Sequence, residues 1–190
     1  MHEEKTQDHL ALLRRLAGFA PEVHPRLLLV NLLLAWLPRG VGGRLRTVAY
    51  RRLLGLQVGR GTVFLESISI RGRGNVYERV RIGRNCGLRD CTFFANAPIT
   101  IGDGVWISMD TLVTTDTHLI GAASERRGRR LSLPVIIGDG CWITQGSTVH
   151  AGATIGAGTI LSNRGAVVRD LPANHLAGGN PALPFRALEG

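Results

Sequence analysis

The sequence is poor in aromatic residues, which make up 5% of its 190 residues, although hydrophobic residues reach 44%. Aliphatic side chains must therefore fill any core. No apolar run approaches the roughly 18 residues that span a bilayer. The N-terminal stretch MHEEKTQDHL also lacks the basic-then-apolar order of a signal peptide. These absences favour one cytoplasmic domain, with or without a short appendage.

Cysteine is scarce, and its pattern excludes two further classes. The three cysteines, Cys86, Cys91 and Cys141, are odd in number and show no CxxC spacing. They fit buried thiols of a reduced protein better than a disulfide framework or a zinc site.

Acidic residues are outnumbered, with 14 Asp and Glu against 23 Lys and Arg, which gives a formal charge of +9. This charge predicts an anionic partner: a nucleic acid, a membrane surface or a phosphate-bearing small molecule. Nucleic acid is disfavoured because aromatic residues that could stack on bases are not interleaved with the basic ones.

Large apolar residues recur at every sixth position. The first series is Val58, Phe64, Ile70, Val76, Ile82, Leu88 and Phe94; one extra residue shifts the phase before Ile101, Ile107 and Val113. After an interruption the series resumes as Ile137, Ile143, Val149, Ile155, Leu161 and Val167. Helices repeat at three to four residues and strands at two. A period of six predicts an all-β solenoid with triangular coils, about five to six of them over residues 58–172.

Small residues keep a fixed offset from these aliphatics. Four positions after the aliphatic stand Cys141, Ser147, Ala153, Thr159 and Gly165, which we expect to fit inside the prism. The next residue after the aliphatic is often Gly, as in "IGDG" and "IGAG". We expect these glycines to turn the corners of the prism with positive φ.

The motifs "IGDGCWI", "AGATIGAGT" and "LAGGNPA" resemble the hexapeptide-repeat acyltransferases. The resemblance covers about residues 58–186, and motif order and spacing are most similar to the maltose, galactoside and capsular-polysaccharide O-acetyltransferases. It implies a left-handed parallel β-helix, acetyl-CoA as co-substrate without a metal, and a homotrimer with active sites between subunits. It also implies a sugar or glycoconjugate acceptor, as in exopolysaccharide synthesis.

The repeat has one long interruption, residues 114–134, and His118 lies near its N-terminal end. Long insertions on a rigid scaffold usually carry function. The resemblance implies that His118 is the general base, taking the proton of an acceptor hydroxyl as it attacks the thioester. Asp116 either orients the imidazole or is an ordinary loop carboxylate. His150 and His175 are interpreted as bystanders, and Cys141 as core.

The resemblance also implies that CoA lies along the outer face of the C-terminal coils. The matching positions are Trp142, Gln145, Asn163, Arg164, Arg169 and Arg186. The chain departs from the family at two places. The family commonly has Gly or Ser directly after "WI", where this chain has "WITQG". The family also has "Thr-Lys-Asp" near the end of the last coil, where this chain has "VVRDLP". For the acceptor side, Asn96 is the best-placed candidate, followed by Asn85, with Asp116 beside the base.

An N-terminal segment, residues 1–57, precedes the repeats, and residues 173–190 form a tail. Pro38 ends the apolar run Leu27–Leu37, and glycines separate it from an arginine-rich stretch, which predicts two helices. We expect them to cap the open end of the solenoid. The alternative is peripheral association of residues 25–53 with the inner face of a membrane.

Three other functions remain as alternatives. A non-catalytic scaffold would not need His118 at the mouth of an interruption. A γ-carbonic-anhydrase-type enzyme needs three histidines on zinc, but Trp142 and Gly146 stand where further ligands would fall. An N-acyltransferase acting on an amino sugar or an antibiotic is the nearest enzymatic alternative.

Overall fold

A computed structural model describes residues 24–38 and 40–189. The first 23 residues of the predicted N-terminal segment, and Gly190 of the tail, lie outside the described residues. From Gln57 onward the chain forms a parallel β-solenoid of about six turns, preceded by two helices. The fold class predicted from the period of six is confirmed, and it matches the left-handed β-helix that the resemblance implies.

Three sheets form the sides of the prism. The first contains β1 (Gln57–Val58), β4 (Val80–Ile82), β7 (Ile99–Ile101), β12 (Val135–Ile137) and β15 (Thr154–Ile155). The second contains β2 (Val63–Phe64), β5 (Gly87–Leu88), β8 (Trp106–Ile107), β13 (Trp142–Ile143), β16 (Ile160–Leu161), β18 (His175–Gly178) and β19 (Leu183–Ala187). The third contains β3 (Ser69–Arg71), β6 (Thr92–Phe94), β9 (Leu112–Thr114), β14 (Thr148–Val149) and β17 (Ala166–Val167).

The inward aliphatics stack in columns because parallel pairing puts equivalent positions of successive coils in register. Ile143 pairs with Ile107 on one side and with Leu161 on the other, and all three are at most 1% exposed. The small residues Cys141, Ser147, Ala153 and Thr159 are buried beside them, as predicted. Burying one aliphatic side chain stabilises a fold by about 1.5–3 kcal/mol, so these columns hold the coils together.

The repeat departs from its predicted phase at two positions. Phe93, not Phe94, points inward, because β6 pairs so that Phe93 stacks between Ile70 and Val113. Val76 is buried but lies in a 3-10 helix, Val76–Glu78, which fills one corner instead of forming a side. A change in corner length produces each departure.

The role predicted for the glycines needs correction. Gly138, directly after the inward Ile137, does not have positive φ. A Cβ there would lie 2.6 Å from the backbone nitrogen of Ala157 in the next coil, so glycine is required by the close stacking of corners. Two residues later, Gly140 adopts φ of +66° and makes the turn. The two glycines of "IGDG" thus serve different purposes.

The two predicted helices are α1 (Pro25–Leu33) and α2 (Gly43–Leu53). They pack on the first coil, where the Tyr50 ring meets Phe64 edge-on with centroids 4.9 Å apart. The Tyr50 hydroxyl donates a hydrogen bond of 2.6 Å to Asn31, whose amide donates to the carbonyl of Ile68. Leu27, Val30, Leu34 and Tyr50 are buried, and the inner faces of the helices cover the open end of the solenoid.

Candidate active site

Two corners of the prism carry the candidate residues. The second–third corner consists of residues 108–111, 144–147 and 162–165, which join the second sheet to the third in three successive coils. The third–first corner consists of residues 115–134, 150–153 and 168–170, which lead from the third sheet back to the first. The predicted loop 114–134 therefore occupies the third–first corner.

This loop is an antiparallel β-hairpin, a regularity that the sequence did not predict. Its strands are β10 (Asp116–Ile120) and β11 (Arg127–Ser132), with Asp116 opposite Ser132 and His118 opposite Arg130. Alternation along a strand puts Asp116 and His118 on one face of the hairpin. The buried Thr115 fastens its root, because its hydroxyl donates 2.8 Å to the carbonyl of Phe94.

His118 is half-buried on this hairpin, next to the rigid root. Within residues 24–38 and 40–189 its imidazole has no hydrogen-bond or ion-pair partner. An imidazole held by a paired strand, yet with its ring nitrogens unsatisfied, is available to a substrate hydroxyl.

Asp116 makes no hydrogen bond to His118, and its two carboxylate oxygens accept from other side chains. Ser132 donates 2.8 Å to Oδ1, while Asn96 Nδ2 donates 2.7 Å to Oδ2, which also accepts from Arg130. Burial opposes ionisation of Asp116, but the hydrogen bonds from Arg130, Ser132 and Asn96 outweigh it and hold the pKa of the carboxyl below its usual value. These contacts are those of a structural clamp, a role that the sequence did not predict; a part for Asp116 in orienting the imidazole or in binding the acceptor stays a prediction.

Asn96 belongs to the same clamp. Its Oδ1 accepts from the backbone nitrogen of Arg73 at 2.8 Å while its amide donates to Asp116. The side chain thus ties the preceding coil to the root of the hairpin. Its predicted contact with the acceptor stays a prediction. The second candidate, Asn85, lies between the first and second sheets, on a different corner from His118.

Asp116→Asn is expected to lower the free energy of unfolding by about 1–3 kcal/mol at neutral pH, because an amide group would face donors now satisfied by a carboxylate. A carboxyl with a depressed folded pKa stabilises the fold above its unfolded pKa and loses that contribution as the pH falls. In urea unfolding, the difference in free energy of unfolding between variant and wild type should therefore shrink below about pH 3.9, the ordinary pKa of Asp. Asp103→Asn is the matched control, since its ion pair with Arg84 is exposed and contributes little. An equal loss in both variants would contradict the clamp.

The second–third corner forms an open cleft of about 730 Å³ lined by Asp110, Gln145, Gly146, Asn163 and Arg164. It brings together three of the predicted CoA-binding residues. Gln145 Nε2 donates 3.2 Å to Asp110, a residue that the sequence analysis missed. Asp110, Gly146 and Arg164 share a left-handed backbone at equivalent positions of successive coils.

Two tryptophans lie on the outer face of the second sheet, in the strands that lead into this corner. Trp142 pairs in register with Trp106 of the preceding coil, and each side chain is 50% exposed. A Cβ on Gly87, one coil further back, would lie 2.6 Å from the Trp106 ring. The sequence did not predict a role for Trp106, because the repeat in "DGVWIS" identifies only the inward Ile107.

The remaining CoA candidates do not lie in the cleft. Arg169 is on the third–first corner, two coils beyond the hairpin. Arg186 is in β19, opposite Leu176 of β18, at the C-terminal edge of the second sheet. One side of the prism, roughly 20 Å for six extended residues, separates the cleft from His118. In a single chain His118 and the cleft are therefore apart.

Three further side chains were predicted to lie outside the site: Cys141 as part of the core, and His150 and His175 as bystanders. Cys141 is fully buried, its thiol contacts the carbonyl of Gly156 at 3.1 Å, and burial raises the pKa of that thiol. His175 Nδ1 lies 2.7 Å from the carbonyl of Ala173. His150 begins the same corner as the hairpin, one coil later. In the part of the chain that the structure describes, no three His, Cys, Asp or Glu side chains are grouped to hold a metal ion.

The chain is similar to a Schizosaccharomyces pombe protein described as a putative acetyltransferase, with 38% identity over 100 residues. These residues are 53% of this chain and 48% of the relative, so the chain spans about half the length of the curated relative it matches. No protein-family profile matches the sequence.

Solved structures share the fold over most of their length. A hexapeptide-repeat acetyltransferase from Vibrio cholerae, complexed with acetyl-CoA, superposes with a TM-score of 0.70 and 25% identity, over 87% of this chain and 86% of that one. A maltose O-acetyltransferase from Clostridium difficile gives 0.65 and 26%, over 86% and 85%. A Bacillus cereus N-acyltransferase, at 0.57 and 16% over 77% and 89%, shares the fold alone. The resemblance to the hexapeptide-repeat acyltransferases is therefore confirmed: a hexapeptide-repeat acetyltransferase and a maltose O-acetyltransferase are among the solved structures that share this fold.

Proposed function

We propose that the chain is an acetyl-CoA-dependent O-acetyltransferase that acts on a hydroxyl of a sugar or glycoconjugate in the cytoplasm. The observation that carries the proposal is the half-buried imidazole of His118, which has no partner among the described residues and lies on a clamped hairpin of a fold shared with acetyltransferases. The acetyl-CoA bound to the Vibrio cholerae structure supports the donor. The similarity to a maltose O-acetyltransferase supports a sugar hydroxyl as the acceptor.

The reaction needs no acyl-enzyme, because the thioester is already activated. An unprotonated ring nitrogen of His118 takes the proton of the acceptor hydroxyl while its oxygen attacks the acetyl carbonyl. The new C–O bond forms, the C–S bond breaks, and the CoA thiolate leaves. The imidazolium then returns the proton to the thiolate, which regenerates the base and releases CoA as the free thiol.

The cleft at the second–third corner is the proposed site for the CoA chain. Gln145 and Asn163 would bond the pantetheine amides, and Trp142 would pack against its apolar stretch. Arg164, Arg169 and Arg186 are the candidate partners of the nucleotide phosphates, since a guanidinium matches phosphate geometry.

The separation of His118 from the cleft supports an active site built between subunits. If two prisms pack side by side, the hairpin of one can face the second–third corner of its neighbour. In a closed ring of three such prisms every hairpin faces the cleft of a neighbour, which agrees with the trimer that the resemblance implies.

Light scattering should therefore give a trimer at micromolar concentration. Co-expression of His118→Ala with Gln145→Ala/Arg164→Ala should restore activity that each parent lacks at low acetyl-CoA, because a mixed trimer contains interfaces with an intact hairpin and an intact cleft. A monomeric protein, or hybrids as inactive as their parents, would rule out the shared site.

Arg164→Gln is expected to raise KM for acetyl-CoA by about tenfold, the usual value of one charge-assisted hydrogen bond, with little change in kcat. Added salt should raise the wild-type KM more than that of the variant, since salt screens a contact that only the wild type makes. Arg60→Gln, in the first coil, is the control. An unchanged KM would make Arg164 only a solvated surface residue.

The experiment that tests the function is release of free thiol from acetyl-CoA with a panel of sugars, nucleotide sugars, lipid-linked glycans and amino sugars. Turnover only with hydroxyl acceptors supports O-acetylation. Faster turnover with amino sugars would favour the N-acyltransferase alternative, whose fold is shared. No thiol release with any acceptor would favour the scaffold.

A further inference from the structure

The two N-terminal helices present an apolar surface on the side that faces away from the solenoid. We call this the helical surface; it consists of Leu28, Leu29, Leu32, Leu33, Trp36, Val41, Leu45, Val48 and Leu53, each 45–74% exposed. Exposed apolar residues grouped in this number usually mark a binding site.

Closing the solenoid does not require these residues. Leu27, Val30 and Leu34, spaced by three and four positions, already form the buried face of α1 and its final turn. The opposite face is equally apolar, with Leu29, Leu32 and Trp36. A helix that is apolar all round is normally covered on all sides, and here no other described residue covers one side.

The charges within the two helices all have one sign, and the acidic residues Glu66 and Asp90 lie beside the end of α1. Residues 24–65 contain seven arginines and no Asp or Glu. Arg26, Arg44, Arg51 and Arg52 are exposed on the helices, and Arg52 continues the stripe of Leu45 and Val48 on α2. Arg46 is the exception: it is buried and donates to the carbonyls of Leu37 and Leu65, so it has a structural role.

We infer that the helical surface binds an anionic phospholipid bilayer. The leucines and Trp36 enter the boundary between headgroups and acyl chains, while the arginines contact lipid phosphates, the arrangement of an interfacial helix. Both helices then lie in the plane of the membrane, and in the described part of the chain no helix is long and apolar enough to cross it. Binding positions the solenoid at the membrane whether or not it is an acetyltransferase.

The test is flotation of the full chain with vesicles of phosphatidylcholine, with and without phosphatidylglycerol, at low salt. Wild type should float only with the anionic vesicles. Arg51→Gln/Arg52→Gln should weaken partitioning by about 30-fold, since each arginine near an anionic surface contributes about five- to sixfold. Leu29→Glu/Leu32→Glu should abolish it.

Matched controls separate this surface from the rest of the protein. Arg60→Gln/Arg81→Gln removes two exposed arginines of the solenoid, and Ile136→Glu alters an exposed aliphatic of the first sheet. Both should float like wild type. Acetyl transfer to a soluble acceptor should be unchanged in Leu29→Glu/Leu32→Glu, so this inference and the proposed function can fail separately.

Failure of wild type to float with anionic vesicles overturns the inference. A second copy of the chain, or residues 1–23, would then be the occupant of the surface. A changed mass of Leu29→Glu/Leu32→Glu in light scattering would then identify a second copy. Equal flotation with neutral vesicles, unaffected by the arginine changes, also overturns it, because the anionic lipid would play no part.

Discussion

Replacement of His118 by alanine is expected to lower kcat by about 10²–10⁴-fold, or about 3–5 kcal/mol of barrier, the usual contribution of a positioned general base. The fold should remain intact, since His118 lies on the hairpin and packs into none of the inward columns. KM for acetyl-CoA should change little, because the imidazole acts on the proton of the acceptor.

Steady-state kinetics with a good acceptor measures this effect, and the pH-dependent rise of kcat/KM due to the base should disappear in the variant. His150→Ala is the matched control, since His150 lies on the same third–first corner one coil later. Near-wild-type turnover by His118→Ala would show that the assignment is wrong. A large loss in His150→Ala instead would move the base to that residue.

Gly138→Ala is expected to destabilise the solenoid by about 3 kcal/mol or more, at the upper end of the cost of overpacking. The added Cβ would lie 2.6 Å from the nitrogen and 2.9 Å from the Cα of Ala157, and backbone cannot move aside as a flexible side chain can. The fourth and fifth coils must then separate, which also distorts the cleft between Gln145 and Arg164.

Gly140→Ala provides the comparison within the same motif. A Cβ there meets only Gly158, at about 4 Å, so the cost is the left-handed backbone alone, about 1–2 kcal/mol. Urea unfolding of both variants should therefore rank Gly138→Ala as the more destabilised. The reverse order would mean that the positive φ of the corner matters more than the stacking of the coils.

The sequence by itself determined the class of fold and the content of the core. Every hexapeptide meets nearly the same surroundings in a solenoid, so an inward aliphatic and a small residue recur at fixed positions and can be recognised locally. Ile143, Val149 and Cys141 are buried as predicted for that reason. The break in the repeat also located the hairpin that carries His118, because an insertion interrupts the period wherever it occurs.

The tertiary structure alone decided where the candidate residues lie relative to one another. Which side of the prism a hexapeptide occupies depends on the lengths of all preceding corners, and stacking between coils sets those lengths, as the inward Phe93 shows. The clamp of Asp116 by Asn96 and Arg130 joins residues far apart in the chain, so no local pattern indicates it. The same holds for the separation of His118 from the cleft. The sequence could name these side chains, but only the pairing of successive coils placed them on different corners.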